Sequence, residues 1–170
     1  MGRSESAMMA SAEQARFRVD YPNSRPRSSR IIALDDGSLS ALLALKDHLW
    51  NGARFLRYLR AETISRQFPA IAVDARLEDT DGRWTSLRKE VAEADVIVMV
   101  ATAGGSAREA AEVIGNTCAV LGKLATGLVL KTAEDEGLAI TLRAMRPHAA
   151  MLVVSTGADY IGEMLTALRA

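Results

Sequence analysis

In the middle of the chain, a continuous apolar run changes abruptly into a helical pattern. The run at 96–101 predicts a strand that is buried on both faces, as in a parallel sheet. It leads into a turn of small residues at 102–106, and the spacing of Ser106 and Glu109 predicts a capping box at the start of a helix. Apolar positions spaced by three and four then continue to about Gly122. A strand, a glycine turn and a helix in direct succession indicate an α/β sheet.

A similar alternation extends from residue 30 to the end of the chain. It predicts five more strands, at 31–34, 53–59, 71–73, 126–130 and 151–154. The predicted helices between and after them begin near Leu39, Ser86, Thr132 and Thr156, and the first of these ends at Asn51-Gly52. A turn is predicted at 79–82. The element at 53–59 stays open between strand and helix, because its apolar residues also satisfy helical spacing.

Strands that alternate with helices predict right-handed crossovers and a parallel sheet. The expected fold class is therefore α/β, a single doubly wound, Rossmann-like domain. Its mostly parallel sheet has about six strands in the order 3-2-1-4-5-6, with helices on both faces. Residues 30–170 form this domain. Residues 1–29, rich in Ser, Arg and Pro next to the domain, are expected to form a flexible N-terminal arm, in which 10–17 fits a short helix.

The net charge and the hydropathy of the chain indicate which partners it is expected to bind. The 170 residues carry 21 basic and 21 acidic side chains, so the formal net charge is zero. Nucleic-acid-binding domains normally carry a basic excess, and we expect no nucleic-acid partner. A neutral surface repels its own copies weakly, so a homo-oligomer is expected. No apolar run reaches the roughly 18 residues of a membrane span, so no membrane partner is expected.

Cysteine and histidine content predicts neither a disulfide nor a metal site. Cys118 is the only cysteine, which favours a reducing, cytoplasmic location. It lies on the apolar side of its helix and is expected to be a core residue. His48 and His148 are the only histidines, and neither has a cysteine or carboxylate at metal-ligand spacing. No motif identifies a cofactor.

Candidate ligand-binding residues come from the loops that follow the strands. In a doubly wound sheet, ligands bind beyond the carboxyl ends of the strands, where the strand order reverses. The candidates there are Asp35, Asp36, Gly37, Ser38, Thr102, Gly104, Gly105, Ser106, Thr156 and Gly157. Glycine lets a ligand approach the backbone, hydroxyls donate hydrogen bonds, and the N–H groups of a helix N-terminus attract anions. Tight turns and helix caps prefer the same residue types, so a purely structural role stays open.

Asp35 and Asp36 are the best candidates for acid chemistry. Adjacent carboxylates at the end of a strand could hold Mg²⁺ against ligand phosphates, or act as a base and its orienting group. Alternatively, they belong to a turn with a helix cap. A dinucleotide fold would place G-x-G-x-x-G after the first strand, whereas this loop holds a single glycine, Gly37. No Walker A motif is present either.

The run ADVIVMVATAGGS at 94–106 and the strand ATGLVL at 125–130 resemble the nucleotide-binding half of the FtsZ/tubulin-type GTPases. In that family an Ala-Asp-apolar-Thr-Ala-Gly strand precedes a glycine-rich phosphate loop. The resemblance implies the sheet order 3-2-1-4-5-6 and carries over Gly104, Gly105 and Ser106 as phosphate contacts. The family's G-G-G-T-G-[ST]-G loop is shortened here, and the chain ends before the family's second domain. We therefore expect no GTPase activity.

Three functional hypotheses follow from the sequence. In the first, the chain binds a small molecule that carries a phosphate, a carboxylate or a nucleotide, between the loops at 35–38 and 102–106. In the second, it is a non-catalytic assembly or partner-binding protein that keeps the sheet with a degenerate nucleotide site. In the third, it is a small transferase or hydrolase that uses Asp35 or Asp36.

Overall fold

Seven strands and five α-helices make up the computed structural model, which describes residues 26–62, 74–131 and 137–170. The strands are β1 (Ser29–Ala33), β2 (Ala53–Glu62), β3 (Asp74–Asp79), β4 (Trp84–Ser86), β5 (Val96–Thr102), β6 (Ala125–Leu130) and β7 (Met151–Ser155). The helices are α1 (Asp36–Leu43), α2 (Leu87–Glu93), α3 (Arg108–Val120), α4 (Leu138–Met145) and α5 (Asp159–Ala167). A 3-10 turn, Arg146–His148, follows α4.

All seven strands lie in one sheet, in the order β4-β3-β2-β1-β5-β6-β7. Four neighbouring pairs are parallel, namely β2 with β1, β1 with β5, β5 with β6, and β6 with β7. By contrast, β3 pairs antiparallel with both β2 and β4. The predicted α/β class and the mostly parallel sheet are confirmed, whereas the predicted six strands and the order 3-2-1-4-5-6 are wrong.

The difference arises in the β3–β4 hairpin. The turn predicted at 79–82 is present, since the N–H of Gly82 donates to the carbonyl of Asp79 at 3.0 Å. Gly82 has a φ of +77°, which glycine adopts without strain. The chain then returns as β4, a strand of three residues that is too short for its hydrophobic pattern to be recognised. The strand predicted at 71–73 and the helix predicted at 10–17 lie outside the described residues.

The open element at 53–59 is a strand, β2. Successive side chains of a strand point to opposite faces, and two arginines of β2 do so. Arg54 forms an ion pair with Glu90 of α2, with Nη1 and Oε1 2.7 Å apart. Arg57 forms one with Asp36 of α1, with Nη2 and Oδ1 2.8 Å apart. The helical alternative is thereby excluded.

Two apolar layers cover the two faces of the sheet. On one face, Ile32 and Met99 pack in a buried cluster with residues of α2, α3 and α4. On the other, Ile31 and Val98 pack with residues of α1 and α5. The prediction that helices cover both faces is therefore confirmed. Residues 97–101 of β5 are fully buried, because this strand lies in the middle of the sheet between the two layers.

The end of α1 and the start of α5 depart from the predicted helix boundaries. α1 ends at Leu43 rather than at Asn51-Gly52, and Leu49, which falls within the predicted helix, is fully exposed. The chain needs residues 44–52 to pass from the helix layer to the start of β2. α5 begins at Asp159 instead of Thr156. The helix start predicted near Thr132 lies outside the described residues. No helix within the described residues is long and apolar enough to cross a membrane.

A buried ion pair attaches α2 to the sheet. Arg30 of β1 is 5% exposed and Glu90 of α2 is 1% exposed, and Nε and Oε2 lie 2.5 Å apart. The second carboxylate oxygen of Glu90 accepts hydrogen bonds from Arg54 at 2.7 Å and from the Thr85 hydroxyl at 2.8 Å. Both oxygens are thus bonded, as a buried charge requires.

Candidate functional site

The strand order reverses between β1 and β5, which is where doubly wound sheets bind ligands. β1 leads through α1 to β2 on one side, and β5 leads through α3 to β6 on the other. The loops that follow β1 and β5 meet at this point and enclose a cleft of about 410 Å³. Its lining is Leu34, Asp35, Asp36, Gly37, Arg57, Tyr58, Thr102, Gly105 and Ser106.

Asp35 connects the two loops. Its Oδ1 accepts hydrogen bonds from the Ser38 N–H at 2.8 Å and from the Thr102 hydroxyl at 2.9 Å. Its Oδ2 accepts one from the Thr102 N–H at 2.8 Å. The Ser38 hydroxyl in turn lies 3.2 Å from the Asp35 N–H, which completes a capping box at the start of α1. The helix-cap alternative for this aspartate therefore describes its geometry, and Ser38 is buried within the cap.

Two of the candidate glycines make room for this connection. A Cβ on Gly37 would lie 2.6 Å from the Thr102 Cγ2 atom. A Cβ on Gly105 would overlap the Asp35 carboxylate. The small residues of these loops thus let two protein segments approach each other, which is a sufficient reason for their presence without any ligand.

Gly104 faces a different part of the molecule. It has a φ of +81°, and its N–H donates to the hydroxyl of Thr141 at 3.0 Å. A Cβ on Gly137, the residue before α4, would overlap the Gly104 backbone. Thr141 is buried in α4 and holds the turn after β5 in place. In the sequence, only its position pointed to this role, because Thr141 is a polar residue among the apolar positions of a predicted helix.

The mouth of the cleft carries charged and polar groups from β2. The Arg57 guanidinium binds the exposed carboxylate of Asp36 at 2.8 Å. The Tyr58 hydroxyl donates to Glu109 at 3.0 Å. Neither Arg57 nor Tyr58 was a candidate from the sequence. Only the strand geometry of β2, with Arg57 paired in register with Ala33, brings these side chains to the end of β1.

The N-terminus of α3 borders the cleft. The predicted capping box of Ser106 and Glu109 is wrong, because a turn closed by the Ala107 N–H and the Gly105 carbonyl at 3.0 Å separates Ser106 from the helix. Ala107 is the N-cap and its side chain accepts no hydrogen bond. The first-turn N–H groups of α3 therefore receive no acceptor from the cap residue. Ser106 itself is exposed at the cleft.

Thr156 and Gly157 do not join the other candidates. They follow β7, which lies three strand positions from β1, a separation of about 14 Å across the sheet. Here Ser155 closes a local turn, since its hydroxyl donates to the Gly157 carbonyl at 2.9 Å. The structure thus brings together the loops at 35–37 and 102–106 and leaves the loop after β7 apart.

Neither histidine belongs to the cleft. The ring of His48 packs at a tilt against Trp50, with centroids 5.9 Å apart. His148 packs against Gly115 of α3, where a Cβ would lie 2.5 Å from the histidine Cβ. In the described ranges, no group of three or more His, Cys, Asp or Glu side chains is placed to hold a metal ion.

A scan against protein-family models finds no match to this chain, and a search of curated proteins finds none either.

Proposed function

We propose that the cleft between β1 and β5 binds a small molecule through a phosphate or carboxylate group, without GTP hydrolysis. The observation that carries this proposal is the position of the cleft. It lies at the carboxyl end of the strands where the strand order reverses, and about 410 Å³ is within the usual size range of ligand pockets.

Two side-chain donors line the cleft and could bind an anion. Arg57 supplies a positive charge and Ser106 supplies an exposed hydroxyl, and α3 begins two residues beyond Ser106. A helix N-terminus contributes about 0.3–1 kcal/mol to the binding of an anion, so the guanidinium and the hydroxyl are needed for a useful affinity. Arg57 also offers a planar, two-pronged donor that suits phosphate and carboxylate groups.

The carboxylates of the cleft constrain how an anion enters. Asp35 accepts three hydrogen bonds from the chain, which hold its carboxylate in place inside the cleft. Asp36 is exposed and holds Arg57, so a ligand anion would have to replace Asp36 on the guanidinium. Exposed ion pairs contribute only about 0–1 kcal/mol, and this exchange is therefore energetically accessible.

A ligand screen with matched variants tests the proposal. The probes are inorganic phosphate, pyrophosphate, GTP, ATP, NAD and FMN, each with and without Mg²⁺, and the readout is the melting temperature followed by calorimetric titration. GTP is included because residues 94–130 resemble the FtsZ/tubulin-type GTPases. At least one probe should raise the melting temperature, and no phosphate should be released from GTP.

The variants locate the binding. Arg57→Gln and Ser106→Glu should each weaken the binding of that probe by about tenfold or more, because one removes a charged donor and the other adds a like charge. The control Arg146→Gln removes an exposed arginine beyond the amino-terminal end of β7 and should leave the affinity unchanged. A screen in which no probe shifts the melting temperature, or equal affinities for all three variants, would contradict the proposal.

A second candidate function is that of a non-catalytic assembly protein. One observation favours it: the Asp35 carboxylate takes the amide donors of Ser38 and Thr102 that an external anion would otherwise use. Such a protein would bind none of the probes, and light scattering would still show a stable complex of several copies or of the chain with a partner. The geometry gives no support to an acid or base role for Asp35, because both of its oxygens are engaged by the chain.

A further inference from the structure

One edge of the sheet is formed by β7. Within the described residues, this strand pairs with β6 and has no strand on its other side. The Ser155 carbonyl accepts from the Lys131 N–H at 2.7 Å, so the backbone groups of Ser155 point toward β6. Because these directions alternate along a strand, the N–H and C=O groups of Leu152 and Val154 point outward from the sheet.

The strand β7 itself has no charge, proline or bulge of the kind that usually protects an edge strand. Met151–Ser155 contains no charged residue and no proline, and its register with β6 is regular over five pairs. The opposite edge differs, since β4 has only three residues and the Arg76 guanidinium lies 5.1 Å from the ring centroid of Trp84. Long, regular and uncharged edges pair readily with another strand.

Exposed apolar side chains accompany the open backbone. Met151 is 59% exposed and Val154 is 43% exposed, one on each face of β7. The chain therefore leaves apolar surface next to unpaired backbone groups, a combination typical of an interface.

We propose that β7 pairs antiparallel with β7 of a second copy of this chain, which joins two sheets across a two-fold axis. Centred on Val153, this pairing sets Leu152 of one copy opposite Val154 of the other. Both residues have outward backbone groups, so they form hydrogen-bonded pairs, and each exposed Val154 packs on a Leu152 side chain of the same face. The contact is self-complementary, as a two-fold interface requires.

Charges outside the strand agree with this orientation. Antiparallel pairing brings the segment before one strand next to the segment after the other. The first contains exposed Arg146, and the second contains exposed Asp159. Opposite charges therefore approach each other, whereas a parallel pair would oppose like charges. The zero net charge of the chain adds no long-range repulsion between copies.

This inference does not rest on the proposed ligand. The cleft lies between β1 and β5, and β6 separates β5 from the β7 edge. Ligand binding and self-association can thus fail or succeed independently of each other.

Sedimentation equilibrium over a concentration series tests the pairing on the full chain. The wild type should be a dimer, and Val154→Lys should raise its dissociation constant by about tenfold or more, because two lysines would enter the shared sheet. Leu49→Lys adds the same charge at a fully exposed position outside β7 and should change nothing. Circular dichroism of each variant checks that the fold is retained.

Amide hydrogen exchange gives a second, variant-free readout. The N–H groups of Leu152 and Val154 should be protected in the wild-type dimer and lose that protection on dilution to monomer. A wild type that is monomeric up to about 100 μM would overturn the inference. So would a dimer in which these two amides exchange freely, and so would a monomer in which they stay protected, because another segment of the same chain would then cover the edge.

Discussion

Thr102 donates two hydrogen bonds to the carboxylate of Asp35, one from its N–H to Oδ2 at 2.8 Å and one from its hydroxyl to Oδ1 at 2.9 Å. These two residues connect the end of β5 to the N-cap of α1. The Ser38 N–H donates to the same carboxylate. One side chain thus holds together the two loops between which the cleft lies.

Replacing Asp35 by alanine should lower the free energy of unfolding by about 2–4 kcal/mol. The variant loses a helix cap and leaves the Ser38 and Thr102 donors without their acceptor. Urea denaturation followed by circular dichroism measures the change. Asp36→Ala is the control, because its exposed ion pair with Arg57 is worth about 0–1 kcal/mol. Equal losses for the two variants would refute the structural role assigned to Asp35.

Gly105→Ala should destabilise the protein by about 1–3 kcal/mol. The added methyl group would overlap the Asp35 carboxylate and lie 3.1 Å from the Thr102 hydroxyl, so the connection between the loops must open. Gly157→Ala is the matched control, since nothing lies within 4 Å of its added Cβ. The measurement is again denaturant unfolding. If Gly105→Ala were as stable as Gly157→Ala, the close contact at residue 105 would not exist in solution.

The strongest patterns in the sequence predicted the elements that depend on local periodicity. The run at 96–101 could be recognised as a buried strand because it lies between two helix layers and is apolar at every position. α3 was likewise visible from its apolar stripe. By contrast, β4 has three residues, and its strand character comes from pairing with β3, which no local pattern reveals.

The candidate site was predictable only in part, for a related reason. The loops at 35–37 and 102–106 could be placed together because parallel strands end at the same edge of a sheet. Arg57 and Tyr58 could not, because their positions depend on the register of β2 against β1. The sequence could not decide the role of Asp35 either, because its carboxylate accepts hydrogen bonds from Thr102, which is 67 positions away along the chain.

Glu90→Gln should destabilise the fold by about 3–5 kcal/mol, because it removes the only buried counter-charge of Arg30 among the described residues and leaves just the half-exposed Glu93 at 3.8 Å. Glu93→Gln is the control, since this half-exposed carboxylate lies 3.8 Å from Arg30 and its loss should cost less than about 1 kcal/mol. Thermal unfolding by calorimetry compares the two. The double variant Arg30→Met with Glu90→Leu should recover most of the loss, since it removes both buried charges.

If Glu90→Gln had only a small effect and the double variant were no more stable than Glu90→Gln, the Arg30–Glu90 pair would be exposed to water in solution. The burial of both groups between α2 and the sheet would then be wrong. A large effect with no recovery would instead assign the stability to the bonds of Arg54 and Thr85 with Glu90, and not to charge compensation.

Cys118 should be inert in the native protein and should make stability depend on pH in the alkaline range. Burial raises the pKa of its thiol from the ordinary value of 9.0 to about 11, although the nearby Lys123 acts in the opposite direction. The folded state favours the neutral thiol. The contribution of Cys118 to the free energy of unfolding is therefore fully present below pH 9.0 and is lost as the pH rises through about 11. Comparison of wild type with Cys118→Ala by denaturant unfolding at several pH values should show that loss of stability only in the wild type.

Thiol labelling of the wild type tests the burial of Cys118 directly. The thiol reagent DTNB should label Cys118 rapidly in guanidinium chloride, and only at the rate of unfolding when the denaturant is absent. Rapid labelling of the native protein at neutral pH would mean that Cys118 is accessible and that α3 does not pack on the sheet as described.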